Sequence, residues 1–348
     1  MNLLITTQKL DKNDPILGFF HDWVHEFSKH CETVSVICLF KGEYDLPDNV
    51  RVFSLGKEER QSRIQYIIHF YWFIIHERKK YDTVFVHMNQ IYVVLGGLLW
   101  RLFGKRIGLW YTHRAVDWTL RVATMLSHDI FTASKESFNI PTKKLHIVGH
   151  GINIERFVKK ENYPHNNIIL LSVGRITRIK NLDTLIEAVS ILSKGGMEVV
   201  CDIVGPQVTP DDTVYFHELQ RLVKDRGIED KVRFTGGVTG EKIKEFYWKS
   251  DFNINLAPTG GVDKVVLEGI AAGVIPLASN KSFILVFGPY EKDLLFEFQN
   301  PTDLAKKIKS LQLRHNQEML VRLLRTKVEK DFGLGSLIDN ILHFFKSC

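Results

Sequence analysis

Arg175 and Lys180 are the side chains whose placement most directly invites chemistry. The apolar run Leu170-Leu171-Ser172-Val173 ends in Gly174, Arg175 follows at once, and Lys180 comes one short loop later, where a helical pattern begins. This spacing sets two cations at a strand's carboxyl end and a helix's amino end. Backbone N–H groups and the helix dipole favour an anion at such a junction, and a guanidinium beside an ammonium suits a diphosphate. The same residues also fit a plain strand–loop–helix with solvated cations.

Glu268 is the second candidate. The segment from Asn255 reads as the end of a strand and a glycine-containing loop, then a helix over Lys264 to Ala272 closed by Gly273 as a left-handed cap. A buried strand, Val274 to Ala278, follows. Glu268 lies one turn into the helix among Val265, Val266, Leu267 and Ile270, and a carboxylate there needs a partner. A pair of sugar hydroxyls is one choice, since a carboxylate accepts two hydrogen bonds at once. A nearby lysine or a backbone turn is the other.

The segments in order resemble a known pattern: Gly-Arg-x4-Lys-Asn from Gly174, Asp202-Ile203-Val204-Gly205, Val232 to Gly236, Asp251 to Asn255, and Glu-Gly-x3-Gly-x2-Pro from Glu268. Over most of residues 168–300 this is similar to the donor-binding domain of the GT-B glycosyltransferases, in particular the retaining family 4. The resemblance implies that Arg175 and Lys180 hold the donor diphosphate beside Gly174 and stabilise it as it leaves. It implies that Glu268 binds the nucleotide ribose, and that the backbone amides of Gly261 and Val262 lie near phosphate and sugar. The family usually shows Glu-x7-Glu, and the first of these positions is Gly260 here. Glycine supplies no carboxylate, so recognition of the donor sugar must differ. Asp263 in the same loop could reach the sugar hydroxyls, and Lys264 could pair with Asp263 or with phosphate. Loss of catalytic competence is the alternative.

The elements that must position these residues alternate β and α. In the first half Leu3 to Thr6, Thr33 to Phe40, Val50 to Leu55, Thr83 to His87, Arg106 to Tyr111, Ile130 to Ala133 and Leu145 to Val148 read as strands, with amphipathic helices such as Phe19 to Lys29 and Ile64 to Lys80 between them. Such alternation implies a mostly parallel sheet covered on both faces, with ligands beyond the carboxyl ends of the strands. No Gly-x-Gly-x-x-Gly follows the first strand, which argues against a dinucleotide oxidoreductase. By resemblance the fold is α/β, a GT-B pair of Rossmann-like doubly wound domains facing an interdomain cleft. Residues 1–157 would be the acceptor-binding domain and residues 168–330 the nucleotide-sugar domain, with the polar stretch Val158 to Asn167 between them. A final helix, 336–348, capped by Ser336, would cross back onto the first domain.

The resemblance also places His113 at a strand end facing the donor sugar, as a third catalytic candidate. It matches Ser134 to a serine of the acceptor-domain sheet and His150-Gly151-Ile152-Asn153 to the turn joining the domains. Gly18 corresponds thinly to a glycine-rich loop near donor phosphate and acceptor; a turn before a helix is the plainer reading.

Composition bounds the rest. The chain has 348 residues, 46 Lys and Arg against 40 Asp and Glu, and a net charge of +6. That mild excess fits a nucleoside diphosphate or an anionic membrane surface, and no basic run interleaved with aromatics marks a nucleic-acid site. Four scattered cysteines lack metal-like spacing and read as free thiols of a reducing cytosol. The first residues read as a strand and not as a signal peptide. The longest apolar run, Ile64 to Ile75, is too short and too interrupted to span a bilayer. With its arginines and aromatics, the Arg60 to Arg78 segment fits either a core helix or a helix resting on a membrane interface.

The expected activity is transfer of a sugar from a UDP-, GDP- or ADP-linked donor to a glycan or lipid-linked glycan acceptor. Retention is implied by the family, and neither metal nor further cofactor is needed if two cations stabilise the leaving diphosphate. A GT-B nucleotide-sugar 2-epimerase and a non-catalytic nucleotide-sugar-binding protein are the alternatives. The expected location is cytoplasmic, with a peripheral contact at the inner membrane face left open.

Overall fold

The computed structural model describes residues 1–14, 16–113, 115–158, 166–238, 240–258, 261–314 and 316–346. Contacts divide the chain into two units: Met1–Gly151 with Leu334–Cys348, and Ile152–Gly333.

In the first unit the strands are β1 (Asn2–Leu10), β2 (Thr33–Lys41), β3 (Val50–Ser54), β4 (Thr83–His87), β5 (Arg106–Trp110), β6 (Asp129–Thr132) and β7 (Leu145–Ile147). They form a parallel sheet in the order β3-β2-β1-β4-β5-β6-β7. The helices between them are α1 (Phe19–His30), α2 (Arg63–His76), α3 (Ile91–Leu102) and α4 (Trp118–Leu126). The strand period of two sorts the core onto two faces. Leu3, Ile5 and Phe85 pack with Phe20, Val24 and Phe27 of α1. Leu4, Val84 and Val86 pack with Phe70, Val93 and Leu120 of α2, α3 and α4.

The second unit has β8 (Ile168–Val173), β9 (Val199–Val204), β10 (Val232–Gly236), β11 (Phe252–Asn255) and β12 (Ile275–Ala278), parallel in the order β10-β9-β8-β11-β12. Its helices are α5 (Leu182–Lys194), α6 (Pro210–Arg226), α7 (Gly240–Lys249), α8 (Lys264–Ala271), α9 (Ile284–Phe287), α10 (Glu291–Leu294), α11 (Pro301–Gln312) and α12 (Gln317–Phe332). The order reverses direction between β8 and β11, as it does between β1 and β4 in the first unit. In open parallel sheets the crevice beyond such a reversal is where ligands bind. Both units are α/β and doubly wound.

Two boundaries differ from the sequence reading. Ile152, Ile154 and Phe157, taken as the end of the first domain, are buried in the core of the second unit, so the division falls at residue 151 instead of 157. The helix α13 (Leu334–Lys346) starts two residues before Ser336, which therefore lies inside it instead of capping it. Leu337, Ile338, Ile341 and Phe345 of α13 join the α1 face of the first unit's core. Of the expected linker, residues 159–165 lie outside the described residues.

The loops after β8 and β9 meet backbone to backbone. Gly205 has φ +156°, and a Cβ there would stand 1.9 Å from the carbonyl oxygen of Gly174. Neither main chain can retreat, because Gly174 N–H donates to Val204 O at 2.9 Å and Gly205 N–H to Gly236 O at 2.9 Å. Gly205→Ala is expected to cost about 2–4 kcal/mol through strain and overpacking. Urea unfolding reads this as a lowered midpoint; an unchanged midpoint would show that the two loops do not touch.

Candidate functional site

At the β8–β11 reversal the second unit assembles a charged constellation. Strand β8 delivers Gly174 and Arg175, and a 3-10 turn over Arg178–Lys180 swings Lys180 back over the strand end. A Cβ built on Gly174 would lie 3.3 Å from Lys180 Cε, so the glycine, at φ +141°, is what lets the lysine stem cross there. Lys180 Nζ then donates to Asp263 Oδ2 at 2.7 Å. Asp263 is the N-cap residue of α8 but makes no side-chain cap bond to that helix. Lys180 stands two residues before α5, whose N-cap, Asn181, also turns its side chain elsewhere, to the carbonyls of Ile179 and Leu256. One ion pair therefore ties together the positive ends of two helices at the crevice.

Asp263 is held from behind as well. Asn255 Nδ2 donates to the same Oδ2 at 3.0 Å. Burial raises the pKa of this carboxyl, but Lys180 and the Asn255 amide outweigh it and hold the group below the usual carboxylate range. Arg175, 48% exposed, points its Nε at Asp212 Oδ2 at 3.5 Å. Asp212 sits in the capping box of α6 with Thr209. Burial works against its ionisation, yet the amides of Thr209 and Val208 bring its pKa down to about 2. Arg175 is thus tethered to a fixed anion yet still open to solvent. Arg178 is committed elsewhere, with two 2.8 Å bonds to Glu218.

One turn along α8, Glu268 accepts from the hydroxyl of Tyr247 at 3.0 Å. Tyr247 is fully buried. Burial raises the Glu268 pKa, while Lys264 and Tyr247 pull it back without cancelling the rise. Burial lowers the Lys264 pKa, opposed by Glu268 and Asp263. Behind them Asn253 Nδ2 donates to Val265 O at 2.6 Å, against the backbone of Gly269.

Contacts join Gly174, Lys180 and Asp263, with Lys264 and Glu268 following along α8, while Arg175, next to Gly174, turns to Asp212. Gly261 and Val262 precede this constellation on the α8 loop, with Val262 leaning on the core. Gly260 lies outside the described residues. His113 and Gly18 belong to the first unit. His113 is exposed beyond β5, edge-on to Tyr111 at 5.7 Å. Gly18 is the N-cap of α1, where a Cβ would stand 2.5 Å from Asp14 O, so a tight turn accounts for that glycine. Ser134 bonds Ser137.

Tyr247, Asn255 and Asp212 were not singled out from the sequence. Two buried asparagines in the short strand β11 were the available signal, since Asn is depleted in strands and costly to bury without a partner.

Residues 153–323 match the family described as Glycosyl transferases group 1. Mannosylfructose-phosphate synthase of Agrobacterium fabrum is 24% identical over 149 residues, 40% of this chain and 33% of that protein. D-inositol 3-phosphate glycosyltransferase of Streptomyces scabiei is 28% identical over 149 residues, 39% of this chain and 33% of that protein. The chain thus spans about a third of the length of these relatives. Among solved structures, Anabaena HepE in complex with UDP and glucose superposes with a TM-score of 0.75 at 15% identity, covering 100% of both chains. Sucrose-phosphate synthase from Thermosynechococcus elongatus superposes with a TM-score of 0.74 at 15% identity, covering 100% of this chain and 99% of that one. At such identities the likeness is one of fold. The chain has the GT-B fold, and residues 153–323, within its second unit, match the group 1 glycosyl transferases.

Proposed function

We propose that the chain transfers a sugar from a nucleotide-diphosphate sugar to an acceptor, a glycan or a lipid-linked glycan, with retention at the anomeric carbon and without a metal ion. The observation that carries this reading is the convergence of two helix starts, Arg175 and Lys180 at the sheet reversal. As the diphosphate leaves, negative charge grows on its oxygens. Fixed cations and helix N–H groups stabilise that charge in a way the ground state uses less. Two cations supply the charge that a metal supplies elsewhere. On the same face the leaving phosphate accepts the acceptor's proton, which gives retention without a dedicated base. Glu268 takes the ribose hydroxyls. Asp263, ionised and anchored, stands in for the carboxylate that Gly260 lacks and accepts from the donor sugar. His113, as the resemblance implies, bonds the donor sugar or stabilises its developing charge, and the first unit receives the acceptor.

UDP is the first nucleotide to test, because HepE carries UDP and glucose. The test is calorimetry with UDP, GDP and ADP on the full chain, followed by incubation of the matching nucleotide sugars with and without saccharide acceptors. A matching nucleotide is expected to bind, and Arg175→Ala to weaken it by about tenfold or more through loss of a charge-assisted contact. Equal binding by that variant counts against the site. Consumption of donor with no acceptor present would identify an epimerase. Gly260 favours one second reading: tight nucleotide binding without turnover on any acceptor would mark a binding protein.

A further inference from the structure

Helix α2 carries its apolar residues on the wrong side for a globular protein. Phe70 and Ile74 are buried in the core, as expected. Yet Ile64, Ile68, Trp72 and Ile75, at helical spacings of four, four and three, form a second stripe facing outward. Their exposures run to 71% at Ile64, 59% at Ile68 and 55% at Trp72. Scattered exposed apolar residues need no explanation, but a continuous stripe on one helix face does. The stripe runs into a groove of about 590 Å3 whose walls include Val52 and Phe53 of β3 and Ile68, His69, Trp72 and Phe73 of α2. Strand β3 is the edge of its sheet, so the groove opens at the margin of the unit.

The exposed charges flanking the two ends of the helix are mostly basic. The segment Arg63–His76 holds no Asp or Glu. Arg60 and Arg63 are exposed at its start, and Arg78, Lys79 and Lys80 just past its end. Glu77, directly after the helix, is buried against Arg51 and Lys80. Glu59 is an acid on the groove wall, which Lys41 also lines, and it accepts from Gln61 Nε2 at 2.8 Å. An apolar face bounded by cations at both ends complements a surface that is oily inside and anionic outside. With 14 residues the helix is about 21 Å long, too short to cross a bilayer but suited to lying in its plane. No helix among the described residues is long and apolar enough to span. Trp72, stacked on His76 at 4.6 Å, is a residue type that settles at the headgroup level.

We propose that α2 and its groove form a docking surface for an anionic phospholipid bilayer, with the outward stripe in the headgroup boundary and an acyl chain seated in the groove. The surface lies wholly in the first unit, so it stands or falls apart from the donor site. The test is co-sedimentation of the full chain with vesicles of phosphatidylcholine alone and of phosphatidylcholine mixed with phosphatidylglycerol. The chain is expected to bind the mixed vesicles, to bind neutral ones far more weakly, and to release as salt rises. Ile68→Glu and Trp72→Glu should each weaken binding about tenfold or more, and Arg63→Ala and Lys79→Ala about fivefold each. All four side chains are exposed, so UDP affinity and thermal midpoint should be unchanged and serve as the check on folding. Equal partition to both vesicle types, or vesicle binding indifferent to Trp72→Glu, overturns the proposal. So does a chain that ignores vesicles but sediments as a dimer that Trp72→Glu dissociates.

Discussion

Lys180→Ala is expected to lower turnover of a nucleotide-sugar donor by about a hundredfold or more, roughly 3 kcal/mol of transition-state stabilisation. Two effects add. The ammonium that meets the growing charge of the diphosphate is gone. In addition, Asp263 loses the partner that held it at 2.7 Å, leaving an anchored carboxylate beside the arriving phosphates. The second effect can be separated. Asp263→Asn placed on the Lys180→Ala background removes the stranded charge, so nucleotide affinity should recover part of its loss while kcat does not. The pair is in direct contact, so the cycle should be non-additive by more than about 0.5 kcal/mol. Single-turnover rates with calorimetric affinities for the four proteins measure it. Near-normal kcat in Lys180→Ala would falsify the assignment of this lysine to the leaving group.

Local patterns carried most of the architecture in the sequence. The inner strands announce themselves as short apolar, β-branched runs because they are buried on both faces, as all five residues of β4 are, while the edge strands β3, β7 and β10 are more open. Gly273, with φ +87°, ended α8 where a left-handed cap was expected. What local pattern could not carry was contact at long range. The Lys180–Asp263 pair spans 83 residues, and nothing at either position signals that one turns to the other. Asp263 was read as a ligand of the sugar hydroxyls or a partner of Lys264, its neighbour in the chain, and not as a partner of Lys180. Similarly, the Glu268 partner Tyr247 lies 21 residues upstream on α7, where an aromatic at helical spacing reads as core. The domain boundary shifted for the same reason. Ile152, Ile154 and Phe157 sit in a polar, turn-rich stretch, yet their burial in the second unit's core decides to which body they belong. The outward face of α2 was the opposite case: its composition was legible, but which apolar residues faced in and which faced out needed the packing.

Glu268→Gln should weaken every nucleotide that binds at all, by about ten- to a hundredfold, which is the loss of a charge-assisted hydrogen bond at 1.5–3 kcal/mol. Ribose is common to UDP, GDP and ADP, so the loss should be the same for each base; a loss confined to one base would remove Glu268 from the ribose. The pH dependence gives a second reading. Burial lifts the Glu268 pKa above its ordinary 4.5, ahead of the opposing pull of Lys264 and Tyr247. The free protein therefore keeps this proton to a higher pH than the unfolded chain does, and the group's contribution to stability is complete below 4.5 and is lost as pH rises through the folded pKa. Ribose hydroxyls donate to the carboxylate, so nucleotide binding selects the ionised form and expels the proton. Affinity should rise as pH climbs from 4.5 through the raised pKa of the free protein and level off once that group is ionised. Calorimetry in buffers of different ionisation enthalpy should register proton release within that range. Glutamine cannot titrate, so the Glu268→Gln variant should lose both the slope and the released proton while the slope due to the phosphate's own titration persists. If the variant keeps the full slope, the titrating group lies elsewhere, and the Tyr247–Glu268–Lys264 cluster serves the fold of α8 instead of the nucleotide.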